Sequence, residues 1–82
     1  MKKGYNSIYS LERLYYYLQL ISNDICNSYH LHIFANFTNY FIAICRYYRG
    51  QQIFISAIIL SEEDYETNKN KIEESNCFIS IE

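Results

Sequence analysis

Proline and tryptophan are absent from this chain, glycine occurs twice and methionine once. The two glycines, Gly4 and Gly50, are isolated. A phosphate-binding loop needs closely spaced glycines so that backbone N–H groups converge on one anion, and a nucleotide enzyme is therefore disfavoured. Cysteine is also scarce. Cys26, Cys45 and Cys77 are odd in number and lack C-x-x-C spacing, so reduced, buried thiols are expected rather than a disulfide framework. No segment reaches the roughly 18 uninterrupted apolar residues of a spanning helix, because Arg46 and Arg49 divide the most apolar region, and no membrane role is expected. Lys2 and Lys3 are followed by Glu12 and Arg13 where a signal peptide's apolar stretch would lie, which predicts a cytoplasmic chain. Asn36-Phe37-Thr38 matches the glycosylation acceptor pattern, which has no meaning without secretion.

What the chain does contain points to a folded domain. Of its 82 residues, 50% are hydrophobic, 18% aromatic and 20% charged, too apolar for disorder. A chain of this length buries roughly 60% of its unfolded surface or slightly more, enough for one compact domain over residues 1–82 and too little for a two-domain enzyme. Phe, Tyr, Met, Ile, Asn and Lys make up half the sequence and share AT-rich codons. The ten tyrosines are in large part a mark of that composition.

Periodicity gives the elements. Leu11, Leu14, Leu18, Ile21 and Ile25 recur at spacings of three and four, with Ile8 one turn earlier, which predicts a helix over 7–26. Ser7 or Ser10 is positioned to cap it and Asn27-Ser28 to stop it. From Tyr29 to Leu60 the period becomes two and β-branched and aromatic residues accumulate, predicting strands at about 29–36, 40–48 and 52–60. Arg49-Gly50 is a hairpin tip in which glycine takes positive φ without a Cβ clash. Ser61-Glu62-Glu63-Asp64 fits a capping box and starts a second helix over 62–75, whose apolar stripe is only Tyr65 and Ile72. Cys77, Ile79 and Ile81 alternate in a final strand. The predicted fold is α+β: a small single-layer antiparallel sheet of order α-β-β-β-α-β, with the first helix packed on one face.

A two-residue hairpin loop places Ile44 opposite Ile55, Ile42 opposite Ala57 and Tyr40 opposite Ile59 on an aliphatic side shared with Leu31, Ile33 and Ala35. The other side carries Phe41 opposite Ile58, Cys45 opposite Phe54 and Tyr47 opposite Gln52, with His30, His32 and Phe34. The turn before it is either Thr38-Asn39 or the four residues 36–39, and both preserve these faces. The first helix covers the aliphatic side. The other side is too apolar to be left to water, and two apolar residues of the second helix cannot cover three strands. The expectation is an exposed face, or a free sheet edge, that contacts another chain, a homodimer included.

Charge is uneven. Residues 1–60 carry a net +3 and residues 61–82 a net −5. The acidic end favours a basic partner, while Lys2, Lys3, Arg13, Arg46 and Arg49 are too dispersed for a phosphate track. In the two-residue-loop register Cys45 stands opposite His32, which with His30 makes a zinc site or a Cys–His pair geometrically conceivable, but a fourth ligand and an orienting third group are both lacking; no metal, cofactor or catalysis is expected. Arg49-Gly50-Gln51-Gln52-Ile53-Phe54 resembles the basic-Gly opening of an RNA-recognition strand, but glutamine and isoleucine stand where stacking aromatics should be. The α-β-β-β-α order resembles a double-stranded-RNA-binding domain in topology alone, since that module needs a basic second helix and this one begins Glu62-Glu63-Asp64. The Tyr15-Tyr16-Tyr17 triplet spans nearly a full helical turn, so at least one ring flanks the core and another faces out.

The residues therefore point to a small non-enzymatic protein-interaction module that occludes or bridges a macromolecular partner through Phe34, Phe41, Tyr47, Arg49 and Phe54 and the acidic Glu62, Glu63 and Asp64. Size, AT-rich composition and an acidic end are shared by many inhibitors from phages and mobile elements, anti-CRISPR proteins among them, as an analogy of type. The alternative is a nucleic-acid-binding module that stacks bases on Tyr47, Phe34 and Phe54 with Arg46 and Arg49 near phosphates.

Overall fold

A computed structural model describes residues 7–75 and 78–81. Lys2, Lys3, Gly4 and Cys77, and the side chains of Ser7 and Ile8, lie outside what is described. The elements are α1 (Ser7–Ser22), β1 (Tyr29–Ala35), β2 (Asn39–Tyr48), β3 (Gln51–Ser61), α2 (Glu62–Glu73) and β4 (Phe78–Ile81). The order is the expected α-β-β-β-α-β, with strands arranged β3-β2-β1-β4. The antiparallel expectation holds for β1 to β3. The last strand instead lies parallel to β1, Leu31 beside Ile79, so the sheet is mixed. An intervening helix makes that possible, because a parallel neighbour needs a crossover that a tight turn cannot supply.

Helix α1 ends earlier than its apolar spacing suggests. The Asp24 carboxylate accepts from the Ser28 backbone N–H and hydroxyl, both at 2.8 Å, and from the Cys26 N–H at 3.4 Å, while Asn27 turns through φ +52°. These bonds tie the chain into a turn, leaving Ile25 93% exposed and Cys26 on the surface rather than buried. Helix α2 starts as predicted: Ser61 is extended and its hydroxyl accepts from the Asp64 N–H at 3.1 Å.

Both helices pack on the same face of the sheet. Leu14 and Ile21 of α1, Tyr65 and Ile72 of α2, and Tyr29, Leu31, Ile33, Ile42, Ile44, Ile58 and Leu60 of the strands form one buried cluster, with Leu11, Tyr17, Leu18, Tyr40 and Ile79 against it. The thin stripe of α2 gains a third member that is polar. Asn68 is buried, donates to the Asp64 carbonyl at 2.8 Å and accepts from the Tyr15 hydroxyl at 2.9 Å, which pins the two helices together. Tyr65 stacks on Tyr40 at 3.8 Å between centroids, and burial pushes its hydroxyl pKa up. Of the tyrosine triplet, Tyr17 flanks the core and Tyr16 faces out.

The β2–β3 register corrects the sequence reading. Close to the turn it is as expected, with Cys45 opposite Phe54 and Tyr47 opposite Gln52. The turn itself has φ +52° at Arg49 and +78° at Gly50, the conformation that suits the twist of a two-residue hairpin. Beyond it a β-bulge leaves Ile55 without a partner, so that Ser56 faces Ile44, Ile58 faces Ile42 and Ile59 faces Phe41. The bulge inverts the parity of the rest of β3. Ile58 moves into the core at 1% exposure, and Ile59 takes the opposite side.

Candidate functional site: an open aromatic sheet face

Alternation along the strands sends a second set of side chains away from the helices. These are His30, His32 and Phe34 from β1, Phe41, Ala43, Cys45 and Tyr47 from β2, Gln52, Phe54, Ala57 and Ile59 from β3, and Ser80 from β4. No described helix lies over them. The observed β1–β2 register is that of the four-residue turn, with Ala35 opposite Tyr40. It places His30, not His32, opposite Cys45, and His32 opposite Ala43.

The rings form a continuous row. His30 and His32 stack at 4.1 Å between centroids, Tyr47 lies 5.8 Å beyond His30, Phe34 6.3 Å beyond His32, and Phe41 6.1 Å from Phe34. Small residues let the row sit low on the sheet: Ala43 and Cys45 are buried beneath it. Polar atoms fix its rotamers. His30 Nδ1 lies 3.2 Å from the Tyr47 hydroxyl and Nε2 2.8 Å from Ser80 Oγ, and the Gln52 amide lies 2.8 Å from His32 Nε2. A row held this way loses little side-chain entropy when something is laid on it. Phe34 and Phe41 keep about two-fifths of their surface exposed, 40% and 39%, and Phe54 keeps 62%. Phe34, Phe41 and Ile59, with Asn36 and Asn39, line a depression of about 150 Å³ at one end, large enough for a single side chain.

The electrostatics of this face are equally specific. It bears no Lys, Arg, Asp or Glu among the described residues. Burial, and then the charge of neighbouring His32, holds His30 below its ordinary pKa, so at neutral pH it is an uncharged ring. Burial pushes the Cys45 thiol up, which favours its protonated form. No group of three or more His, Cys, Asp or Glu among the described residues is placed to hold a metal ion.

The candidate binding residues thus separate into three places. Phe34, Phe41, Tyr47 and Phe54 gather on the open face. Arg49 occupies the hairpin tip, its guanidinium 5.3 Å from the Tyr48 ring centroid. Glu62, Glu63 and Asp64 form the first turn of α2, on the helix side of the sheet. Asp64 is spent partly on structure, since its backbone N–H is capped by Ser61. Arg46 points to the helix side as well, where it bonds Ser28 Oγ at 3.1 Å, lies 5.0 Å from the Tyr29 ring and reaches Asp24 at 3.8 Å. Sequence reasoning missed His30, His32 and Gln52 as members of the site; their shared parity was visible, but the stacking that makes them one surface was not. No helix among the described residues is long and apolar enough to cross a membrane. Compared with protein-family models, with curated proteins and with solved structures, the chain matches none.

Proposed function

We propose that this protein is a non-enzymatic interaction module whose open aromatic face docks on a partner protein and occludes it stoichiometrically. The observation that carries this reading is a five-ring row, with His30, His32 and Tyr47 held by hydrogen bonds, that no described helix covers and that bears no permanent charge among the described residues. Such a patch is rich in the aromatic residues that dominate protein interfaces and poor in the charged residues that interface cores exclude. The depression beside Phe34 and Phe41 gives the partner a place for one anchoring side chain. An inhibitory role of the anti-defence or anti-CRISPR type is the finer form of the proposal, and it rests on size, composition and the acidic C-terminal third.

Nucleic acid fits this face less well. Bases could stack on the rings, but among the described residues phosphates would find no cation on this face, because Arg46 is turned to the far side and held by Asp24 and Ser28.

The test uses two ligands. A fluorescent single-stranded oligonucleotide is expected not to bind, even at low salt. A protein captured from the source cell and purified is expected to bind one-to-one with a negative heat-capacity change, and to be lost with the Phe34→Asp/Phe54→Asp double variant while far-UV circular dichroism is unchanged. Oligonucleotide binding that weakens steeply with salt and falls in Arg49→Glu would replace this reading with the nucleic-acid one.

A further inference from the structure

The sheet also has an open edge. Strand β3 is outermost, eleven residues long, and hydrogen-bonded to β2 on one side only. Its outer N–H and C=O groups make no backbone bond to another described segment. Exposed edges are normally blunted by proline, lysine or shortness. Here Gln51–Ser61 contains no proline and no charge of either sign, and Ile53, Phe54 and Ile55 are exposed in succession.

A second strip runs alongside it. At 3.6 residues per turn, the flank of α1 opposite Tyr15 carries Arg13, Tyr16, Tyr17 and Leu20. Tyr15 faces α2 through Asn68, so this other flank is turned away from α2. The Arg13 guanidinium bonds Ser56 Oγ, which ties the flank to β3. Tyr16 and Leu20 on it are exposed. The apolar surface therefore runs from the helix flank over Ile53 and Ile55 to the strand edge, with Phe54 on the opposite side of the sheet.

We infer that β3 pairs antiparallel with β3 of a second copy of this chain, joining two four-stranded sheets into one of eight strands. Three observations select a second copy as the occupant. An uncharged strand meets itself without placing like charges opposite each other. A two-fold axis brings the two α1 flanks together over the seam. The exposed side chains of Tyr16, Leu20, Ile53 and Ile55 contribute roughly 100 Å² each, and the backbone edge adds to them toward the roughly 800 Å² per partner of a stable interface. Assembly stops at two, because the edge that remains at each end is β4, only four residues long. This pairing leaves the aromatic face open and places two of them side by side, so it is independent of the function proposed above.

The experiment is sedimentation equilibrium and concentration-dependent amide hydrogen exchange on the full chain. At about 100 µM the chain is expected to be dimeric, with the outer amides of β3 protected relative to dilute samples. An Ile53→Lys/Leu20→Lys variant is expected to sediment as a folded monomer, whereas Phe34→Asp is expected to remain a dimer. The exchange measurement needs no variant and stands if the lysine protein does not fold. A monomer at about 100 µM overturns the inference. So does a dimer whose β3 amides exchange freely, and one that survives the lysines but is broken by Phe34→Asp, which would be a face-to-face dimer.

Discussion

The two faces of this sheet are built from the same strands and differ in nearly everything else. One is aliphatic, closed by two helices, and holds every large side chain that is fully buried. The other is aromatic, has its two histidines and Tyr47 ordered by hydrogen bonds, and is covered by no described helix. Strand propensity cannot tell them apart, since isoleucine, phenylalanine and tyrosine all favour extended backbone. The difference lies in what faces them. Folding stability comes mainly from the closed side, which frees the open side to keep rings that a monomer has no need to expose.

That contrast can be broken most severely just past the bulge, where the shifted register sends Ile58 into the core and Ile59 to the open face. Ile58→Asp places an unpaired carboxylate in the core and is expected to unfold the domain, whose whole stability is on the order of 5–15 kcal/mol. Ile59→Asp, at a half-buried site on the open face, is expected to stay folded, with a loss of about 1–3 kcal/mol. Urea denaturation followed by circular dichroism separates the two, and equal losses would place the bulge elsewhere.

A smaller effect is expected where the helices join each other. Asn68→Ala removes the hydrogen bond that joins α1 to α2, together with the one Asn68 makes to the Asp64 carbonyl inside α2, and leaves the Tyr15 hydroxyl without its acceptor, at a cost of about 1–3 kcal/mol. Tyr15→Phe in the same background should then add little, and a double-mutant cycle measures the coupling.

The smallest effect sharpens the open side. His30 has a folded pKa below its ordinary value of about 6.5, so the unfolded chain binds the proton more tightly. Its contribution is intact above the unfolded pKa and is lost as pH falls from there through the lower folded value. Thermal melts are expected to drop between pH 7.5 and about 5 by more in the parent than in His30→Phe, which keeps a flat ring and removes the titration. An equal drop in both would show that the charge on His30 carries none of the effect.

Much of this architecture was legible in the residues. Spacings of three and four located α1, Ser61 and its acids located the start of α2, and Arg49-Gly50 located the hairpin. The bulge was not legible, because Ile55, Ile58, Ile59 and Leu60 are apolar at both parities and a period of two fits either register. The end of α1 was hidden for a different reason: Ile25 continues the spacing, and only the Asp24 carboxylate's bonds to Ser28 decide against it. Asn68 fell outside any apolar pattern, since a buried amide is recognisable only through the partners that satisfy it. The four aromatic site residues were assigned to one face by parity alone. The acids and arginines belonged elsewhere because sequence charge does not say which layer a residue occupies.

The most direct measurement is hydroxyl-radical footprinting of the protein alone and saturated with its captured partner. Phe34, Phe41, Tyr47 and Phe54 should be modified in the free protein and protected in the complex, while exposed Phe37 and Ile25 react equally in both. Unchanged reactivity of those four rings on binding, or protection confined to residues 62–64, would contradict the account.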